Sequence, residues 1–322
     1  MVRRYLVTGG AGFIGSSFIR YLLANDSRAL VTNLDAMTYA GVRATVTELD
    51  QDERHSFVEG DISDRELVDE LIPGHDVVVH FAAESHVDRS IAGPQAFLET
   101  NLVGTGVLID AVLQHEIPRF LHVSTDEVYG SVAEGAALET ARLRPSSPYA
   151  SSKAGSDLLV LSYHKTYGFP GIVARCTNNY GPYQFLEKMI PLFITNLLDG
   201  ERVPLFGTGR NERDWLHVED HCSALALLID AGEPGEIYNI GADTPLPNIE
   251  LTRRIISACG RDESYIEYVP DRLGHDMRYA VDSSKIRAFG WSPAHDFDQG
   301  LEDTIAWYRD REDWWRPLKE RM

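Results

Sequence analysis

Tyr5-Leu6-Val7-Thr8-Gly9-Gly10-Ala11-Gly12-Phe13-Ile14-Gly15 decides the fold: an apolar run, a glycine-rich turn, and the start of an amphipathic stretch. The order predicts a strand over residues 4–8, then a helix over 14–25, joined by a turn that backbone amides can open toward phosphate. In such a turn Gly9 permits the sharp reversal and Gly12 lets a pyrophosphate approach the amides. Gly15 lets the helix lie close to the strand, and Phe13 and Ile14 form the first helical turn beside the ligand. The spacing is GxxGxxG rather than GxGxxG.

Working outward, short apolar runs at 30–34, 55–60, 76–81, 119–124 and 171–176 alternate with helical patterns at 64–71, 94–114 and 148–167. Ser63 followed three residues later by Glu66 reads as a capping box for the first of these helices. Six strands with intervening helices predict an α/β fold, a doubly wound parallel sheet of the Rossmann type. Beyond residue 177 Pro and Gly become frequent and helical patterns at 189–198, 220–231 and 248–259 are irregularly spaced. We therefore expect an NAD-binding domain over 1–177 that carries the catalytic residues. A smaller mixed α/β domain over 178–322 would bind substrate, with some chain crossing between the two. Leu301, Ile305 and Tyr308 predict a packing helix over 300–311, with Trp314-Trp315 as an aromatic plug.

Asp35 ends the second strand, 20 residues after Gly15. A carboxylate there accepts the ribose hydroxyls of NAD and repels the extra phosphate of NADP, and no Arg follows at once to receive it. NAD is the expected cofactor, with Ala36, Met37 and Thr38 beside its ribose. Asp61-Ile62 is placed to touch adenine, and Phe81-Ala82-Ala83 leaves small side chains where the cofactor passes.

The chain has 322 residues, 43% hydrophobic and 25% charged, with a formal net charge of -19. A field of that sign repels phosphates, so no nucleic acid and no membrane partner is expected, while local Arg and Lys can still hold a small anion. Cys176, Cys222 and Cys259 lie far apart in apolar surroundings without metal-ligand spacing; we expect reduced thiols, no metal, and a cytoplasmic protein. Arg3-Arg4 precedes too short an apolar stretch for an export signal, and no window is expected to reach the apolar length of a membrane span.

Tyr149 and Lys153 are four residues apart on a predicted helix, so both project from one face. A free phenol titrates at about 10, and a neighbouring ammonium with a positive nicotinamide ring is expected to lower that value. Ser124-Thr125-Asp126-Glu127-Val128-Tyr129-Gly130 ends the fifth strand on two carboxylates. An acidic pair beside Gly is ordinarily a solvated turn. At the carboxyl end of a strand in this fold it falls where ligands bind.

The chain resembles the extended short-chain dehydrogenase/reductases through the glycine turn, Asp35, Thr125, Tyr149-xxx-Lys153 and Asn178-Asn179-Tyr180-Gly181-Pro182. Within them, Thr38-Tyr39-Ala40-Gly41, Glu84-Ser85-His86-Val87-Asp88-Arg89-Ser90, the acidic-pair string and Asp271-Arg272-Leu273-Gly274-His275-Asp276 are similar to sugar-nucleotide 4,6-dehydratases. The resemblance implies dTDP-glucose as substrate, with Tyr149, supported by Thr125 and Lys153, as the base for the 4-hydroxyl. It implies Glu127 as base at carbon 5 and Asp126 as acid for the leaving 6-hydroxyl; which one rests protonated stays open. Ser85, Thr100 and Asn179 fall to the cofactor. Sugar-nucleotide contacts fall on Ser85, Thr125, Asn178, Lys188, Met189, Pro204, Leu205, Phe206, Arg213, Asn248, Arg272 and His275. His86 stands as either an acid–base residue or an orienting one. Phe206 and Leu273 depart from the Tyr and Pro common in the family.

Helices 94–114 and 148–167 are apolar on more than one face. The resemblance implies a homodimer that pairs them in a four-helix bundle. The rival readings are a 4-epimerase, which needs no acid and base at carbons 5 and 6, a decarboxylase, which keeps the Glu but has Ser for Asp126, and a silent NAD-binding regulator.

Overall fold

The computed structural model describes residues 2–321. Six strands alternate with helices along the first half: β1 (Arg3–Thr8), β2 (Ala29–Asp35), β3 (His55–Glu59), β4 (Val77–His80), β5 (Phe120–Thr125) and β6 (Gly171–Cys176). Six more follow: β7 (Asn178–Tyr180), β8 (Val203–Phe206), β9 (Glu212–His217), β10 (Ile237–Ile240), β11 (Pro245–Pro247) and β12 (Ile266–Val269). Seven of the twelve form one parallel sheet in the order β10-β6-β5-β4-β1-β2-β3. Every residue of β4, β5 and β6 is buried. Strands covered on both faces are written as mostly apolar runs, which is why they are legible in the sequence.

The chain runs outward from β1 through β2 to β3, then returns to place β4 on the other side of β1. The loops that leave β1 and β4 diverge there and open a crevice at the carboxyl ends of the strands. One apolar core packs the helices Phe13–Asn25 and Val218–Ala231 on one face of the sheet. Another packs Thr105–Gln114 and Pro148–Tyr167 on the opposite face. A separate core gathers Met189–Leu198, Asn248–Ala258 and Phe297–Asp310 around β8, with Trp314 and Trp315 buried in it. Two small sheets, β11-β9-β7 and β12-β8, flank that core.

The parallel α/β architecture is as the sequence predicts, and four details differ. β10 joins the main sheet as a seventh strand, paired with β6, although its four residues fall in the Gly- and Pro-rich second half. Asp64, not Ser63, caps the helix Arg65–Leu71: its carboxylate accepts from Leu67 N at 3.2 Å. Ser63 instead donates through both its amide and its hydroxyl to Asp61, so no capping box forms. Residues 95–114 are one continuous helical stretch interrupted by a π-helical segment, Glu99–Gly104. With a mean hydropathy of 1.4 over its most apolar window, this stretch does reach the length and apolarity of a membrane span. Half of that window is buried within the protein, as in the core helix of a folded domain.

Candidate active site

A single cavity follows the crevice from the glycine turn to the end of β6 and onto the segment 184–188. Its wall includes Gly9, Gly12, Phe13, Ile14, Gly15, Asp35, Ala36, Thr38, Asp61, Ile62, Phe81, Ala82, Ala83, Ser85, Thr100, Tyr149, Lys153 and Asn179. Of the expected cofactor residues only Met37 is not in that wall. Its backbone turns to a φ of 51° and its amide donates to Asp35 Oδ1 at 2.8 Å.

The turn is built by contact as much as by conformation. Gly9 has a φ of 75°, and a Cβ there would stand 2.5 Å from the backbone nitrogen of Ala82. A Cβ on Gly15 would stand 2.3 Å from the carbonyl oxygen of Gly9, so Gly15 packs the helix against the turn itself. Gly12 is the helix N-cap and no side chain caps that end, which leaves the first-turn amides and the positive end of the helix for an anion. Asp35 Oδ2 accepts from Ala11 N at 2.9 Å, tying the ribose carboxylate to the same turn. Each oxygen keeps a further acceptor position toward the cavity. Open amides, a helix N-terminus and an aimed carboxylate fit a dinucleotide.

At the far end, Asp126 and Glu127 open a 3-10 turn, Asp126–Tyr129, capped by Thr125 at the end of β5. Thr125 Oγ1 accepts from Glu127 N at 3.2 Å and donates to Asp126 Oδ1 at 3.3 Å. The acidic pair is not a solvated turn: Asp126 is 3% exposed and Glu127 is half-buried. Burial, then the neighbouring Glu127, pushes the Asp126 carboxyl well above the usual carboxylate range. Burial also raises Glu127, but Arg213, Lys188 and Arg272 all oppose the rise. Of the two, Asp126 is the one pushed further toward holding its proton, and Glu127 the one whose anion the cations favour.

Tyr149 and Lys153 both reach this wall from the helix Pro148–Tyr167, whose first turn carries Pro148 and whose N-cap Ser147 accepts from Ala150 N. The expected depression of the phenol is absent from the protein alone. Burial first, then Glu127, holds Tyr149 well above its ordinary value. Lys153 is itself desolvated, which brings it down from 10.5 to about 8, and its Nζ donates to Val123 O at 2.8 Å. Asn179 is held by a residue 42 positions away: its Oδ1 lies 2.9 Å from His221 Nδ1. Burial lowers His221 to about 3, so the ring is neutral and Nδ1 carries the proton that the amide oxygen accepts.

A family model described as GDP-mannose 4,6 dehydratase matches residues 6–304. The chain belongs to this family of extended short-chain dehydrogenase/reductases. Among its relatives, a dTDP-glucose 4,6-dehydratase of Streptomyces niveus is 51% identical over 98% of this chain and 96% of its own. One of Actinoplanes sp. is 54% identical over 97% and 99%. The solved dTDP-glucose 4,6-dehydratase of Streptomyces venezuelae, with NAD bound, superposes with a TM-score of 0.96 at 52% identity, covering 98% of this chain and 99% of that one.

Of the sugar-nucleotide positions that the dehydratase resemblance implies, Ser85, Thr125, Asn178 and Lys188 line the cavity. Met189, Pro204, Leu205, Phe206, Arg213, Asn248, Arg272 and His275 do not line it. The last group contains Arg213 and Arg272, two of the three basic residues that act on Glu127. Lys188 Nζ donates to Ser85 O at 3.0 Å, and Arg213 donates to Asp276 O at 2.9 Å while lying 4.1 Å over the Tyr279 ring. Phe206 sits under the Arg272 guanidinium at 5.1 Å and edge-on to His275. Asp126 Oδ2, Asn178 Oδ1, Asn248 Oδ1, Arg272 Nε and His275 Nε2 are all buried without a protein partner. Unpaired buried polar groups are expensive, and five of them on expected ligand positions are what a bound sugar nucleotide would satisfy.

Several side chains at the site are not singled out by the sequence. Tyr39, Glu84 and Glu187 line the cavity. The first two lie inside strings that flagged their segments without singling them out. Glu187 pairs with Arg89, which in turn lies 4.0 Å over the Tyr39 ring. Asn101, turned inward on the π-helical segment, bonds both backbone groups of Glu84 and the hydroxyl of Ser152. His86 Nε2 lies 3.6 Å from Glu187 and is absent from the cavity wall, a placement that fits the orienting alternative.

Proposed function

We propose that this protein converts dTDP-glucose to dTDP-4-keto-6-deoxyglucose and water. The observation that carries the reading is one cavity wall holding Tyr149, Lys153 and the adjacent carboxyls of Asp126 and Glu127. A hydrogen on carbon 5 of a hexose is not acidic until carbon 4 becomes a ketone, because only then is the carbanion an enolate. Bound NAD supplies the hydride acceptor, taking hydrogen from carbon 4 and giving it back at carbon 6, and so leaves the cycle unchanged.

Tyr149 accepts the proton of the 4-hydroxyl, and the charged Lys153 stabilises the phenolate that would otherwise be costly in this buried setting. Glu127, anionic beside Arg213, Lys188 and Arg272, removes the proton from carbon 5. Asp126 donates its proton to the departing 6-hydroxyl, which leaves as water. Glu127, its carboxyl proton exchanged with solvent, returns a proton to carbon 5. The proton on Tyr149 then replaces the one lost from Asp126, and the Thr125 hydroxyl stands on the path between them. Lys188, Arg213 and Arg272 also supply the positive charge that a diphosphate needs in an acidic protein. The choice of dTDP-glucose is supported by relatives of that activity at about half identity over nearly the whole chain. An epimerase has no use for an acid and a base at carbons 5 and 6.

The protein acts as a cytoplasmic homodimer, with residues 1–177 mainly holding NAD and 178–322 mainly the sugar nucleotide. Leu98, Val103 and Leu158, exposed by 43%, 56% and 57%, offer apolar surface on the two helices expected in a four-helix bundle. Sedimentation gives a dimer under this reading, and Leu158→Glu gives a monomer; a monomeric parent protein contradicts it. The activity is tested by incubation with dTDP-glucose and assay of the 4-keto-6-deoxy product through its absorbance in strong base. Turnover of UDP- or GDP-sugars without turnover of dTDP-glucose removes the nucleotide assignment.

A further inference from the structure

A buried ion pair lies beneath the site, and none of the steps above uses it. Arg175, on β6 and 1% exposed, donates from Nε to Asp157 Oδ2 at 2.8 Å. Its NH1 donates to the Tyr129 hydroxyl at 2.7 Å, and that hydroxyl donates onward to Asn239 Oδ1 at 2.8 Å. The guanidinium carbon also lies 4.8 Å over the Tyr129 ring. Asn239 is fixed in turn by its own amide bonds to Ala137 O and Asp282 O.

The two ends of this chain of bonds belong to different catalytic elements. Tyr129 is the last residue of the 3-10 turn that carries Asp126 and Glu127. Asp157 stands one helical turn beyond Lys153 on the helix that carries Tyr149. On β5, His122 Nε2 lies 3.4 Å from Asp157 Oδ1 and pairs with the neighbouring Ser156 hydroxyl at 3.1 Å. Next to the turn, Gly130 has a φ of 70° and a Cβ on it would stand 2.2 Å from Arg144 O, so the close approach of these two backbones requires glycine there.

A fully buried ion pair is weak evidence for stability, because two charges must leave water and apolar residues often do as well. Its use here is geometric. We infer that Arg175, with Tyr129 and Asp157, is a positioning unit that sets the acid–base turn in register with the Tyr149–Lys153 helix. This inference rests on the dehydratase reading. Oxidation at carbon 4 needs the helix and Thr125 at the end of β5, whereas elimination also needs the acid–base turn aligned with the helix on one sugar, and a misplacement near 1 Å costs on the order of 100-fold in rate.

The test is Tyr129→Phe, which removes one oxygen and leaves the ring. Single-turnover reaction with dTDP-glucose separates the steps, since the rise in reduced-NAD absorbance reports oxidation and the 4-keto-6-deoxy product reports elimination. Oxidation should stay within about twofold while elimination slows roughly 10- to 100-fold, so reduced NAD accumulates. Arg175→Lys, which keeps a cation for Asp157 but cannot serve both partners, should split the steps in the same sense and decides the matter if Tyr129→Phe does not fold. Equal loss in both steps, or no loss in either, overturns the inference. Absence of the product with the parent protein removes the dehydratase reading itself, whereas the positioning claim is judged on the ratio of the two steps within each variant.

Discussion

The two ends of the cavity are built from different materials. The cofactor end is backbone: glycines that admit close approach, an uncapped helix N-terminus, and Asp35 tied to two main-chain amides. The chemical end is side-chain charge in a dry setting: Asp126, Glu127 and Lys153, all displaced from their ordinary proton affinities by burial. Backbone cradles hold a cofactor that must stay put, while desolvated side chains exchange protons because burial brings their affinities toward one another. Changes at one end should therefore leave the function of the other nearly intact.

The largest effect is expected from Asp126→Asn with Glu127→Gln. Product formation should fall by roughly 100- to 10,000-fold, the usual worth of positioned acid–base groups, with bound NAD and hydride exchange at carbon 4 retained. Loss of NAD from this variant would break the separation between the ends. Gly15→Ala should do the converse. Its Cβ meets main chain that cannot yield, so NAD content falls and stability drops by about 1–3 kcal/mol in urea unfolding. Asp35→Ala removes an ionised acceptor and should weaken NAD binding by about 1.5–3 kcal/mol, read by titration of the stripped protein. The smallest effect is on pH. The Lys153 ammonium is lost as pH rises through about 8, so the rate of oxidation at carbon 4 should decline across that range while NAD binding holds steady. A rate that climbs through that range would contradict a charged Lys153 as the partner of Tyr149.

The same contrast explains what the sequence discloses. The glycine turn, Asp35 and the small residues after β4 act through local spacing, and all line the cavity as expected. β10 is invisible because its four residues become a strand only by pairing with β6, more than 60 positions earlier. The cap of the helix Arg65–Leu71 lies one residue later because Asp64 accepts from the Leu67 amide, while Asp61 takes both the amide and the hydroxyl of Ser63. Proton states were out of reach, since they depend on Arg213, Arg272 and Lys188 converging on Glu127 from distant segments. The elevated Tyr149 shows the same limit, because helical spacing to Lys153 says nothing of how deeply both are buried.

The most direct test of the whole account follows the hydrogens. With dTDP-glucose deuterated at carbon 4 and the reaction run in ordinary water, the 4-keto-6-deoxy product should carry its deuterium on carbon 6. In deuterated water, unlabelled substrate should gain one solvent deuterium at carbon 5 through Glu127. Loss of the carbon 4 label to solvent, or a carbon 5 that keeps its original hydrogen in every turnover, would contradict the division of labour between NAD and the acidic pair.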